Sequence, residues 1–341
     1  MKIYILLAIM FLSGCAQIAP TSDIESFFPL EENVLYVFDV EGLEEDGVRT
    51  VFNSYIRGNT AQRMIHASHF PPSTEVITVG GGEVTLVFGE PAHYTLEDIT
   101  SANPNLDIVI LQEPLELGHY WNNGDEHWEI TSVSSLVETG AGSFETLQVT
   151  VTTASGNRDY YYYARGIGLV RSVHQGVLGN ITISLAQRVE DSFANVPISV
   201  FFPNPYTAGI DAEARALFIP TNGDPAGLLN DEIHNPPGTG ALSLLPVGVS
   251  IQYVNVYREQ ALAHVDLSPS IGSSYGDIGD GTIGNMLLGL TNTVGHMYDV
   301  AYVTFTMGGE ALSWGPVQLQ LGEAIAVDSL ASLMELVEAS G

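Results

Sequence analysis

"FETLQVTVTTASGNRDYYYYARGIGLVRSV", residues 144–173, sets two runs rich in Val, Thr, Leu and Tyr on either side of a turn sequence. The central "SGNRD" at 155–159 is turn chemistry, since Gly, Asn and Asp tolerate the backbone conformations that reverse a chain. The flanking runs can therefore pair as a hairpin. Successive strand side chains point to opposite faces, which puts Tyr160 and Tyr162 on one face and Tyr161 and Tyr163 on the other. One pair packs inward and the other lies across the sheet surface. Aromatic residues suit such half-buried pleated positions, so the phenols read as strand packing, with a ligand platform as the alternative. Gly166 and Gly168 permit a bend before "LVRSV" continues the strand.

The same vocabulary extends upstream. "NVLYVFDVEG" (33–42), "STEVITV" (73–79), "GEVTLVFG" (82–89), "LDIVILQEPL" (106–115) and "HWEITSVSSLV" (127–137) are brief apolar or alternating runs bounded by Gly, Pro, Asn or Asp. Residues 33–190 thus read as a mainly antiparallel β domain. The pattern changes at "RVEDSFANVP" (188–197), a polar stretch ending in proline, before the fresh strand "ISVFFPNP". Farther on, "DPAGLLNDEIHNPP" (224–237) offers an Asp224 cap, proline in the first turn and a Pro-Pro stop, which predicts a helix. "VSIQYVNVYRE" and "LAHVDLS" predict two strands. "DGTIGNMLLGLTNTVGHM" (280–297) spaces Ile283, Met286, Leu287, Leu290, Val294 and Met297 by three and four, an amphipathic helix weakened by Gly284, Gly289 and Gly295. "VAYVTFTMGGEAL" predicts a hairpin turning at Gly308 and Gly309. The fold class read from the whole chain is α+β: the N-terminal β domain, then a compact α+β domain over 196–328 with helices on one face of a sheet, and a C-terminal helix or tail over 329–341.

A chain of 341 residues with 45% hydrophobic and 15% charged residues is folded material, long enough for two domains of ordinary size. Its charge is lopsided: 10 Lys+Arg face 40 Asp+Glu, a formal net charge of -30. Lys2 is the sole lysine, so the other nine basic residues are arginines. Such a field repels nucleic-acid phosphates and anionic headgroups, and sets both aside as primary partners. The acids are scattered rather than blocked, which fits solubility in an unusual medium.

"MKIYILLAIMFLSGC" carries one positive residue, an apolar run from Ile3 to Leu12, small residues and then Cys15. This is the layout of a secretory signal over 1–14, too short to span a bilayer as a permanent helix. "LSGC" at 12–15 resembles the bacterial lipobox, which implies that Cys15 is lipidated and becomes the first residue of the mature chain. Cys15 is the single cysteine, so no disulfide within the chain and no cysteine metal site can form. "AQIAPTSDIESFFPLEEN" then reads as a tether, giving 15–32 as the link from membrane to first domain.

Two resemblances to known families follow. "PLELGHYWNNGDEHWEITSV" (114–133), "VETGAGSFETLQVTV" and "YYYYARGIGLVRS" are similar, in that order, to the N-terminal β module of clostridial-type surface lipoproteins. "SVFFPN" (199–204), "LLNDEIHNPP" (228–237), "LLPVGVSI" (244–251), "AHVDLS" (263–268) and "LGLTNTV" (288–294) resemble the GerMN domain, named for a spore germination and sporulation protein. The glycine-rich insert "IGSSYGDIGDG" (271–281) and "HNPPGTGAL" depart from that pattern, both in loops. The GerMN resemblance implies a membrane-anchored chain that assembles with envelope or sporulation proteins, including copies of itself, and it carries no suggestion of catalysis.

Chemistry searched for independently is sparse. His66 and His69 in "HASH" stand three apart without a helical stripe or a third ligand nearby. His119, Asp125, Glu126 and His127 surround the turn "WNNGDEH", which reads as a solvated hairpin tip. Asp277 and Asp280 in "YGDIGDGT" resemble part of a calcium loop but lack its alternating acids and closing glutamate, leaving them as candidate metal ligands. His264, Asp266 and Ser268 lie along one strand without a nucleophile elbow. No catalytic residue and no cofactor are expected. The chain reads as a non-enzymatic lipoprotein anchored through Cys15 on the outer face of the cell membrane, an assembly module in sporulation or germination. The alternative is a binding module for a small apolar or glycan ligand through Tyr160, Tyr161, Tyr162, Tyr163, Trp121 and Trp128.

Overall fold

The computed structural model describes residues 23–328 apart from 91, 93, 177–178, 205, 207–208, 239 and 270–279. The signal segment, Cys15, Asp277 and the 329–341 tail therefore lie outside the described residues. Asp280 is the first residue of a helix whose description begins there.

One large sheet dominates. Its twelve strands are β1 (Leu35–Glu41), β2 (Gly47–Arg57), β3 (Thr60–Ala67), β4 (Phe70–Gly80), β5 (Glu83–Gly89), β6 (Ile108–Gln112), β7 (Tyr120–Asn123), β8 (Glu126–Thr139), β9 (Gly142–Thr152), β10 (Arg158–Ala164), β11 (Gly168–Gly176) and β12 (Gly179–Val189). They form two meanders, β1 to β6 and β7 to β12, joined where β1 pairs antiparallel with β12 from Leu35↔Val189 to Glu41↔Thr182. Bulges at Val37/Phe38, Asn53/Tyr55 and Tyr162/Tyr163 sharpen the twist and help the sheet curl.

The curl brings the two outer strands together. There the Trp121 indole N–H and the Asn123 amide donate to the Val109 carbonyl at 2.8 and 2.9 Å, and the Val109 N–H donates to Asn123 Oδ1 at 3.0 Å. Among the described residues, side chains rather than a backbone ladder join β6 to β7, and the result is a nearly closed barrel. Residues 23–32, read from the sequence as the end of a tether, are built into it. The short helix α1 (Ile24–Phe27) buries Ile24 completely, and the Asp23 and Ile24 N–H groups donate to Glu113 Oε1 at 2.7 and 3.0 Å.

A long hairpin, β13 (Ala194–Asn204) with β14 (Gly209–Ile219), leads into the C-terminal unit. The helix α2 (Pro225–His234) starts as its sequence predicts, with the Ala226 N–H donating to Asp224 Oδ1 at 3.0 Å. β15 (Ile251–Tyr257) pairs with β16 (Leu262–Leu267), and α3 (Asp280–Tyr298) crosses over to the parallel strand β17 (Tyr302–Met307), which turns into β18 (Glu310–Ala311). Ile283, Leu287, Leu290 and Val294 form the buried stripe of α3. Gly289 lets that helix lie directly on β13, because a Cβ there would stand 2.1 Å from the Phe201 carbonyl oxygen.

The α+β class read from the sequence is corrected. Of the described residues 54% are strand and 13% helical, so the chain is mostly β. Runs that look like separate short strands merge into one antiparallel sheet, and among the described residues the C-terminal half contributes two helices of substantial length alongside its own strands. The two parts share a core in which Phe52 and Met64, on the outer face of the barrel, meet Leu217 and Ile219. Asn33 and Thr221 exchange hydrogen bonds at 2.9 Å each way, and the Asn222 N–H donates to the Ser54 carbonyl at 2.8 Å.

Candidate functional site

Alternation on β2 decides what the barrel encloses. Phe52 faces outward toward the C-terminal unit, so Arg49, Val51 and Asn53, which precede the bulge, face inward. The same parity turns Tyr36 and Phe38 of β1, Arg63 of β3, Glu75 of β4, Trp128 of β8 and Tyr161 and Tyr163 of β10 into the interior. These side chains do not fill it. They border a cavity of about 270 Å³, with Phe28 from the N-terminal segment contributing to its wall.

The wall is aromatic and ordered. Trp128 stacks on Tyr161 at 5.7 Å between ring centres and 11° between planes, and Tyr161 meets His174 edge-on at 5.6 Å. Phe28 stands 6.3 Å from the Tyr163 ring and also lies under the Arg63 guanidinium at 5.5 Å. Arg63 is paired with Glu75 at 2.6 Å. His174 contacts Asp159 Oδ2 at 3.1 Å and Ser172 Oγ at 3.0 Å. Burial pushes the Tyr161 and Tyr163 phenols well above the ordinary tyrosine range, with the Asp159 and Glu126 carboxylates adding to the effect at Tyr161. Burial likewise pulls the Arg49 guanidinium down, opposed by the nearby Glu75 carboxylate. A second cavity of about 280 Å³ shares Arg49, Glu75, His174 and Ile183 with the first.

The sequence candidates divide accordingly. Tyr161, Tyr163 and Trp128 come together around the cavity. Tyr160 and Tyr162 alternate with the other two tyrosines along β10 and do not line the cavity. Trp121 is buried, with its indole N–H engaged in closing the barrel. His66 rests against Tyr94 while His69 lines the second cavity, so the two do not converge. His119 contacts Gln112 at 3.2 Å, His127 contacts Asn122 at 3.1 Å, and Glu126 accepts from the Trp128 indole at 3.1 Å. Asp266 is buried, accepting from the Gly309 N–H at 2.8 Å and the Thr306 hydroxyl at 2.5 Å, which pins the turn after β17. Ser268 Oγ accepts from the Ser250 N–H at 3.1 Å. Among the described residues no group of three His, Cys, Asp or Glu could hold a metal ion. Sequence reading missed Arg49, Arg63, Glu75 and Phe28. The available signal was a cation at an inward position of "GVRTVFNSYIR".

No protein-family model matches this chain, and no curated protein matches it. Solved structures similar to parts of it include proteins assigned as lipoproteins or exported proteins. One, assigned as a lipoprotein of Parabacteroides distasonis, is 12% identical and aligns over 48% of this chain and 98% of its own, at a TM-score of 0.31. An exported protein of Bacteroides fragilis with a YmcC-like fold is 14% identical over 48% of this chain and 99% of its own, at 0.30. The complex of Pseudomonas aeruginosa MucA and MucB aligns over 69% of this chain and 68% of its own, at 9% identity and 0.25. At such scores the likeness shows neither a shared family nor a shared function. Among the described residues no helix is long and apolar enough to cross a membrane.

Proposed function

We propose that the chain is a non-enzymatic, extracytoplasmic binding module whose barrel takes a small apolar ligand. The observation that carries this is the cavity of about 270 Å³ walled by Phe28, Phe38, Trp128, Tyr161 and Tyr163. Large aromatic side chains ordinarily close a core, and here they border open space, as in concave apolar sites that bind small molecules. The signal-like first residues and the lipobox-like "LSGC" support placement outside the cytoplasm, held through lipidated Cys15.

Titration of the full chain with the neutral fluorophore N-phenyl-1-naphthylamine tests the reading. Saturable one-to-one binding that is lost in Trp128→Ala is the expected result. Absence of saturable binding sinks it.

A second reading rests on the C-terminal sheet. Tyr253, Tyr257 and Tyr302 share one solvent-facing side of β15 and β17 and are all exposed. With the GerMN resemblance this favours docking of envelope proteins during sporulation or germination. If a chain carrying Tyr257→Ser and Tyr302→Ser recovers the same envelope proteins from sporulating cells, that face is not the docking surface.

A further inference from the structure

Arg49 is unusual among the arginines of this chain. Arg57, Arg63, Arg165, Arg188, Arg215 and Arg258 each pair with a carboxylate, and Arg171 donates to Ser184 and to the Glu138 carbonyl. Arg158 is exposed at the start of β10. Arg49 lines both cavities, yet among the described residues its side chain has no hydrogen-bond or ion-pair partner, and its Nε is buried without one.

An unpaired cation in a largely apolar wall is costly, because desolvation is not returned by a partner. With 40 Asp+Glu in the chain, a carboxylate for Arg49 would have been easy to supply. The one carboxylate in that wall, Glu75, is already bonded to Arg63 at 2.6 Å. Counting Arg49 and Arg63 against Glu75, the shared chamber keeps an excess positive charge inside a strongly acidic protein. The same cavity is lined by the apolar groups of Phe38, Val51, Leu86, Ile110 and Leu169.

We propose that Arg49 receives the anionic headgroup of an amphiphile, a monocarboxylate with an apolar tail, whose tail lies against the aromatic wall. This deepens the proposed function and rests on that reading. The guanidinium supplies planar N–H donors matched to a carboxylate, and the low-dielectric wall strengthens their attraction. The overall field opposes approach of an anion, so any preference for one must arise locally at this arginine.

The test displaces N-phenyl-1-naphthylamine from the full chain with decanoate, 1-decanol and decyltrimethylammonium. Decanoate should compete about tenfold or more better than 1-decanol, the difference a charge-assisted hydrogen bond makes, and the cation should compete least. Arg49→Met should erase the preference for decanoate while retaining the neutral probe, Arg49→Lys should restore part of it, and Arg158→Met should leave it unchanged. Equal competition by decanoate and 1-decanol in the unaltered chain, or a preference that survives Arg49→Met, overturns the headgroup assignment while leaving the apolar site standing. Failure of the neutral probe itself to bind overturns the underlying reading instead.

Discussion

Phe305 and Trp314 in the C-terminal unit are 1% and 0% exposed, enclosed by the sheet, α3 and the segments around them. Tyr161 and Trp128 in the barrel stack on each other with a cavity of about 270 Å³ beside them. The two regions draw on the same apolar vocabulary. In the C-terminal unit one helix lies flat on strands and the space between closes to contact. In the barrel a single sheet curls around its own inner face, and the one-turn helix α1, with Ile24 buried against that face, fills only part of the interior. A long helix laid on a sheet closes the space between them, whereas the barrel's inward side chains and one short helix pack a core and still leave a chamber beside it.

The sharpest way to break this contrast is Phe305→Ala. Removing a ring with no space beside it should lower stability by about 4 kcal/mol in urea denaturation. Tyr161→Ala should cost less than half as much, since its ring already borders a void. Equal losses would mean that the barrel interior is packed as tightly as the C-terminal core.

Gly289→Ala probes the tight region from its backbone. The added methyl meets the Phe201 carbonyl oxygen at 2.1 Å and Leu244 Cδ2 at 2.6 Å. Overpacking should cost about 3 kcal/mol, more than the roughly 1 kcal/mol that alanine returns in helix propensity. A thermal melt unchanged from the parent would show that α3 can lift off β13 without penalty.

Asn123→Ala tests the seam instead. It removes the two bonds to Val109 and should cost about 2 kcal/mol, with faster hydrogen exchange at Val109 than at Val149 in the middle of the sheet. Uniform exchange across both strands would place the closure elsewhere.

The smallest effect concerns pH. Burial raises the Tyr161 and Tyr163 phenols above the unfolded value of about 10. Their contribution is complete below that pH and declines as pH rises above it, because the unfolded chain then releases protons that the folded chain retains. Each phenol should add a slope of about 1.4 kcal/mol per pH unit to alkaline destabilisation. Replacing both by Phe should flatten the stability curve above pH 10, and an unchanged slope would show that these rings are already in contact with water.

Much of the local structure was legible. The hairpin of "FETLQVTVTT" with the tyrosine run pairs Tyr160↔Thr150 through Tyr163↔Leu147, and alternation put Tyr161 and Tyr163 together. The α3 stripe followed from spacing by three and four, though its glycines were read only as weak points. Gly289 is a site of close approach, which depends on a strand about ninety residues earlier in the chain and leaves no mark in the helix sequence. The candidate site was half legible: aromatic residues advertise themselves in a strand, but a single arginine among nine gives no sign of having lost its partner. Trp121 and Trp128, read as one platform, do stand side by side at 6.0 Å between ring centres, but only Trp128 borders the chamber while the Trp121 indole N–H reaches the seam.

The sequence by itself determined where the quoted strands such as β4, β5 and β8 to β10 and the helices α2 and α3 form, which of their residues alternate and how acidic the chain is. These properties depend on near neighbours and on composition. Tertiary structure alone decided that twelve strands join into one curled sheet, that residues 23–32 belong to it, and that the one carboxylate beside Arg49 in the cavity wall is engaged by Arg63. Those outcomes arise from register, bulges and accumulated twist acting between residues far apart in the chain, where small local differences add up to whether a sheet closes and what it leaves unpaired within.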